Sequence, residues 1–197
     1  MDQKTFRIAV DLDGVIAKHA LGGFWLKLRK IKEKTLKKTH LTTYYYPSTF
    51  IEKTAWKVIN GLRRPTLDKN GLFLSLAQKK EVRFFLITSR FKFLEKLTHN
   101  WLKHHRLDSL FYKVLINTPN INPLVFKEQM IKKFNIDYVI DDDLEVIDYL
   151  KKRTAAKFYW VVPPYQKQTE NKDKKIIICT DFLEALQKIF KPFGHNF

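Results

Sequence analysis

Two aspartates one residue apart, Asp11 and Asp13, end the apolar run "RIAV", and Gly14 follows them directly. Carboxylates held that close repel each other, so the arrangement calls for a cation, a reaction, or a turn that uses short acidic side chains. Three further acids, Asp141, Asp142 and Asp143, close the run "YVI". Thr88, Ser89 and Arg90 close the run "RFFLI", and Lys127 lies in the segment leading towards Asp141. Taken singly, each piece has a plain structural use: acids sit in turns, and a Thr-Ser pair caps helices. Together, in this order, they form a constellation whose meaning depends on what positions them.

Five apolar runs read as buried strands: 6–10, 82–88, 112–117, 136–141 and 157–162, with "KKIIICT" as a sixth. Helical spacing separates them. Phe91, Leu94, Thr98, Trp101, Leu102 and His105 share one face. Val125, Phe126, Met130, Ile131 and Phe134 share another, after Asn122 as cap and Pro123 at the first helical position. Leu144, Val146, Ile147 and Leu150 make a short helix, with Asp143 as its cap. Asp181 and Glu184 form a capping box before "FLEALQKIF". Continuous apolar strands alternating with helices predict an α/β fold, a doubly wound and mostly parallel sheet covered on both faces. In such a sheet ligands bind beyond the carboxyl ends of the strands, where the acids, the hydroxyl and the lysine would converge.

One stretch breaks the alternation. From the first strand to Asn70 there is no strand pattern. Leu21, Phe24, Trp25, Leu28 and Ile31 form one helical stripe; Thr49 and Glu52 form a capping box opening a second helix with Ile51, Ala55, Val58, Ile59 and Leu62 on one face. A small helical insert over 20–66 is expected, dividing an α/β core of 1–19 and 67–197.

The formal net charge is +17, and between Lys18 and Arg64 there are 12 Lys and Arg against 2 acids. A basic surface attracts phosphate, nucleic acid or anionic membrane. Lysine is abundant along the whole chain, however, and supplies 29 of the 37 basic residues, whereas arginine is the better bidentate phosphate reader. The single cysteine, Cys179, excludes an intramolecular disulfide. With no signal-peptide pattern and no long apolar run, the expectation is a soluble, cytoplasmic protein without membrane contact.

These residues resemble the haloacid dehalogenase (HAD) superfamily of phosphotransferases. "DLDGV" is similar to its first motif, "FFLITS" to its second, Lys127 to its third and "YVIDDD" to its fourth. The resemblance implies a Rossmann-like core and a Mg²⁺-dependent phosphatase. Asp11 would be the nucleophile, and Asp13 the acid and base. Thr88 would bind a phosphate oxygen, and Lys127 would balance charge. The metal would take Asp11, the backbone carbonyl of Asp13, and Asp142 with Asp141. Gly14 would keep the backbone open to phosphate, and the N–H groups of Ser89 and Arg90, at a helix start, would add donors. Receiver domains combine similar groups in another order, and no P-loop is present.

An insert straight after the first motif resembles a cap that chooses the leaving group. The cap, "ITSR", Trp101 with Leu102, and "PPYQ" at 163–166 are similar to the 5′(3′)-deoxyribonucleotidases. Aromatic residues (Phe24, Trp25, Tyr44, Tyr45, Tyr46) beside cations (Lys18, Lys27, Arg29) suit a flat base plus a phosphate. His19 is a further candidate for substrate contact. The expected substrate is a nucleotide or other small phosphorylated metabolite. Two alternatives are a phosphatase or binding protein for nucleic-acid ends, and a non-enzymatic binding protein on the same fold.

Overall fold

The computed structural model describes residues 5–18, 46–66, 71–163 and 175–193. Six strands form one parallel sheet: β1 (Phe6–Val10), β4 (Val82–Phe91), β5 (Lys113–Asn117), β6 (Tyr138–Asp141), β7 (Lys157–Val161) and β8 (Ile176–Cys179). Their order is β5-β4-β1-β6-β7-β8. The chain leaves β1 for β4 and β5 on one side, then returns to lay β6 on the other. The connections reverse beside β1, the place where an open α/β sheet binds its ligands.

Helices cover both faces. On one, Ile8, Val10, Phe84 and Leu86 pack with Phe73 from α2 (Leu72–Ala77), Leu102 from α3 (Glu95–His104), and Phe182 and Leu186 from α6 (Phe182–Phe190). On the other, Ala9, Phe85, Ile87, Val139 and Trp160 pack with Phe126 and Ile131 from α4 (Pro123–Lys133) and Leu150 from α5 (Leu144–Leu150). Burial on both faces is why these strands read as continuous apolar runs rather than alternating ones.

The caps follow the sequence. Asn122 accepts the N–H of Leu124 at the start of α4. Asp143 accepts those of Glu145 and Val146 at the start of α5. Asp181 caps α6, but Glu184 reaches one residue further back than a capping box requires, accepting the Thr180 N–H at 2.6 Å and its hydroxyl.

The region after β1 differs from the reading of an insert without strands. Ala17–Lys18 (β2) pairs antiparallel with Arg64–Pro65 (β3), a short ribbon that closes the insert at its base. Two-residue strands carry no periodicity that a sequence could display. The six-residue helix α2 was likewise not legible, because it spans less than two turns. The second insert helix, α1 (Phe50–Gly61), has the predicted capping box of Thr49 and Glu52. Its apolar face is nevertheless open: Ile51 is 80% and Val58 56% exposed. What it buries is Asn60, near its last turn, whose amide donates to the Trp56 carbonyl at 2.8 Å and whose Oδ1 accepts from Arg63 Nε at 3.2 Å. The first insert stripe, with Phe24, Trp25, Tyr44 and Tyr45, lies outside the described residues, as do His19 and Gln166. Among the described residues no helix is long and apolar enough to cross a membrane.

Candidate active site

The register brings the acids together. Val10 pairs with Leu86 on one side and Ile140 on the other, so Asp11 stands level with Ile87 and Asp141 at the strand ends. Neighbouring strands lie about 4.8 Å apart, which puts two carboxylates in one plane of the sheet. Asp142 joins them: Asp11, Asp141 and Asp142 each offer an oxygen within 4.8 Å of the others.

Lys127 answers part of that charge. It comes from the buried side of α4, and its Nζ lies 2.8 Å from Asp11 Oδ1 and 2.6 Å from Asp141 Oδ2. Asp141 also accepts the N–H of Asp143 at 3.0 Å, which curls the chain and turns Asp142 towards the others. Burial pushes the Asp11 carboxyl up to about 7, Lys127 opposing and Asp141 adding to the rise. Burial also raises Asp141, against the opposing pull of Lys127. Asp142 is raised well above the usual carboxylate range by burial and by the neighbouring Asp11 and Asp141. For Lys127, burial alone would lower the pKa, but Asp11 and Asp141 outweigh it and raise it. Ionised together, the buried Asp11 and Asp141 and the half-buried Asp142 would carry two negative charges more than the one Lys127 ammonium offsets. That deficit fits a divalent cation with oxygen ligands, and Asp11, Asp141 and Asp142 are the residues that would hold it.

Gly14 makes the geometry possible. Its φ is +96°, and a Cβ placed on it would collide with the Asp142 carboxylate. Only glycine allows both the left-handed turn and the close approach of that carboxylate. The loop is tied by Gly14 N–H to the Ala17 carbonyl at 3.0 Å and by Ala17 N–H to that of Leu12 at 2.7 Å.

Asp13 leaves the acidic cluster and faces cations. Arg90 Nε and Nη2 donate to its two oxygens at 2.9 and 2.6 Å, and Arg63 Nε lies 3.1 Å from Oδ1. Burial pushes the Arg63 guanidinium below its ordinary pKa, Asp13 working against that shift. The strand-end site is thus divided into a carboxylate lobe around Lys127 and a guanidinium lobe around Asp13.

Thr88 is buried in β4, three residues before its end, and its hydroxyl accepts the N–H of Arg90 at 3.3 Å. Here the expectation for Ser89 and Arg90 is corrected. The strand continues to Phe91 and a 3-10 turn, Lys92–Leu94, precedes α3, so neither residue opens a helix. The extension arises from a register shift between Thr88 and Phe91 against β5. Lys18 lies on the ribbon opposite Arg64. Arg63 was not anticipated. It stands 50 positions from its partner, and nothing local in "GLRRP" marks it except the scarcity of arginine, 8 of 37 basic residues.

No family model matches the chain, and no curated protein matches it in sequence. Solved structures match over nearly the full length of both partners. A haloacid dehalogenase-like family hydrolase from Streptococcus pneumoniae superposes with a TM-score of 0.60 at 12% identity, covering 96% of this chain and 100% of its own. The HAD hydrolase YfnB from Bacillus subtilis, solved with magnesium, gives 0.61 at 14% identity, with 94% and 98% covered. The chain has the HAD hydrolase fold. A 2-haloacid dehalogenase from Pseudomonas syringae shares it as well, with a TM-score of 0.53 at 10% identity and 96% and 100% covered. Proteins described as HAD hydrolases and as a dehalogenase thus share this fold, and the chemistry of this chain rests on its own site.

Proposed function

We propose that the protein is a Mg²⁺-dependent phosphomonoester hydrolase that forms an aspartyl-phosphate on Asp11. The observation that carries this is the acidic lobe: Asp11, Asp141 and Asp142 within 4.8 Å, with one lysine among them. A phosphate dianion could not approach three carboxylates unaided. Displacement of halide from carbon brings no such dianion to the nucleophile, and for that reaction the uncompensated acids would be a burden.

A carboxylate oxygen of Asp11 attacks phosphorus, and the bond from phosphorus to the leaving oxygen breaks. Asp13, whose carboxylate is paired with Arg63 and Arg90, takes a proton from solvent and passes it to that oxygen. It then takes a proton from the water that attacks the aspartyl-phosphate, releasing orthophosphate and restoring Asp11. Lys127 holds Asp11 in place and offsets negative charge as the phosphoryl group moves. Thr88 has its hydroxyl proton to donate to a phosphate oxygen, since it already accepts from Arg90. Asp11, Asp141 and Asp142, with the Asp13 carbonyl, would hold Mg²⁺, which when bound would supply charge neutralisation.

The substrate is a nucleotide or another small phosphorylated metabolite, admitted beneath an insert over 20–66 that serves as the cap. Next to Arg90, Phe91 lies edge-on to Tyr46 at 5.1 Å and to Trp56 at 5.8 Å, and Lys53 sits over Tyr46 at 5.8 Å. This aromatic group with a cation suits a flat leaving group. A screen of phosphorylated metabolites with Mg²⁺, repeated with EDTA, tests the reading. Release of orthophosphate only with the metal supports it, and halide release from 2-haloacids without phosphatase activity overturns it.

A further inference from the structure

Asp13 is fixed by two guanidiniums of different origin. Arg90 belongs to the core: it sits on β4, its side chain is 2% exposed, and its Nη1 donates to Thr98 Oγ1 at 3.1 Å. Thr98 in turn donates to the Leu94 carbonyl at 2.9 Å. Arg63 belongs to the insert. It lies between α1 and β3, its Nε also reaches Asn60 Oδ1 at 3.2 Å, and its Nη1 donates to the Ala17 carbonyl at 3.3 Å. Its own carbonyl accepts the indole N–H of Trp101 at 3.0 Å. Both cations meet at the same oxygen, Asp13 Oδ1.

A bidentate arginine already fixes the plane of a carboxylate. Arg63 closes on the oxygen that Arg90 Nη2 already holds, so the carboxylate is gripped from the core and from the insert at once. It reaches Asp13 from the turn between α1 and β3; just beyond that ribbon Thr66 ties the chain to the core, its hydroxyl donating to the Val15 carbonyl at 2.6 Å and its N–H to that of Ile16 at 2.7 Å. A shift of the insert would thus be passed through Arg63 to Oδ1. Proton transfer needs the carboxyl within hydrogen-bond reach of the leaving oxygen, and misplacement by about 1 Å can cost on the order of 10²-fold.

We propose that Arg63 is a positioning residue that aims the Asp13 carboxyl at the leaving-group oxygen and makes that aim depend on how the insert is seated. The inference rests on the phosphomonoesterase reading. It is tested with para-substituted phenyl phosphates, which share a shape and differ in the basicity of the leaving oxygen. 4-Nitrophenolate departs with little help, whereas phenolate needs its proton. Arg63→Gln should lose about tenfold or less in kcat/KM on 4-nitrophenyl phosphate and about 10²-fold or more on phenyl phosphate. Arg63→Lys should fall between, because an ammonium keeps the charge without the fork. In an Asp13→Asn background Arg63→Gln should add no further leaving-group dependence. Equal losses across the series in an active enzyme overturn the inference alone. A wild-type protein inert towards the whole series overturns the reading beneath it. A second measurement needs no turnover. Hydrogen exchange of the amides of Arg63, Arg64 and Thr66 should speed up about tenfold in Asp13→Asn, as the anchor is released. Unchanged exchange there overturns the link between insert and acid.

Discussion

Lys127 Nζ lies 2.8 Å from Asp11 Oδ1, and both side chains are less than a tenth exposed. The same ammonium bridges to Asp141 at 2.6 Å, so one cation from α4 neutralises the ends of two adjacent strands. Removing it leaves two buried acids facing each other. Lys127→Met should destabilise the metal-free protein by about 3–5 kcal/mol, the range for breaking a buried pair from one side. It should also abolish turnover. Urea unfolding measures the first effect, and a variant within about 1 kcal/mol of wild type contradicts the account.

Gly14 supplies a separate test. Alanine there must hold a φ near +96° and drive Asp142 away from a Cβ that would otherwise collide with its carboxylate. The strain should cost about 1–3 kcal/mol. Displacing one of three candidate ligands should weaken Mg²⁺ binding about 10–100-fold, the scale of perturbed metal sites. Calorimetric titration with Mg²⁺ decides it: unchanged affinity removes Asp142 from the ligand set.

The parallel sheet was legible because its strands are buried on both faces and show as unbroken apolar runs, and because Asn122, Asp143 and Asp181 mark helix starts by local chemistry. Asp11, Thr88, Asp141 and Asp142 were legible as candidates because they stand at the ends of those runs, and Lys127 because it lies in the helix leading towards Asp141. Arg63 and the β2–β3 ribbon were not. Their contacts join positions some 50 residues apart, and no periodicity or cap chemistry reports such a pairing. Arg90 was visible as a residue but not in its role. The register shift that carries β4 past Thr88 is a tertiary feature, and it turns an apparent helix start into strand.

The acidic lobe should make metal-free stability fall as pH rises. Asp11, Asp141 and Asp142 all have folded values raised above the unfolded carboxylate, Asp11 to about 7, with burial the leading cause. The folded state therefore binds more protons than the unfolded chain between about pH 4 and 7, and stability declines across that window. Mg²⁺ binds the ionised form and adds stability at neutral pH by mass action. Thermal unfolding at pH 5 and pH 7.5, each with EDTA or Mg²⁺, should show a gap between the two pH values in EDTA that narrows with the metal. A metal-free protein more stable at pH 7.5 than at pH 5 contradicts the charge balance drawn here.

The two first-motif aspartates should respond in opposite ways to amide substitution. Asp11 sits among like charges, and its neutral form is favoured by burial and by Asp141. Asp11→Asn removes a repelling charge while Lys127 keeps its bond to Asp141, so metal-free stability should hold or rise while turnover disappears with the nucleophile. Asp13 sits among opposite charges. Asp13→Asn leaves the buried guanidiniums of Arg63 and Arg90 without their shared anion, which should lower stability by about 1–3 kcal/mol. Its turnover should fall on the order of 10²–10⁴-fold through lost proton transfer, with Mg²⁺ affinity kept, because the metal would use the backbone of this residue. Unfolding, Mg²⁺ titration and single-turnover kinetics on both variants separate the roles. If Asp11→Asn unfolds more easily than Asp13→Asn, or if Asp13→Asn loses the metal while keeping its rate at saturating Mg²⁺, the division of the site into an anionic and a cationic lobe is wrong.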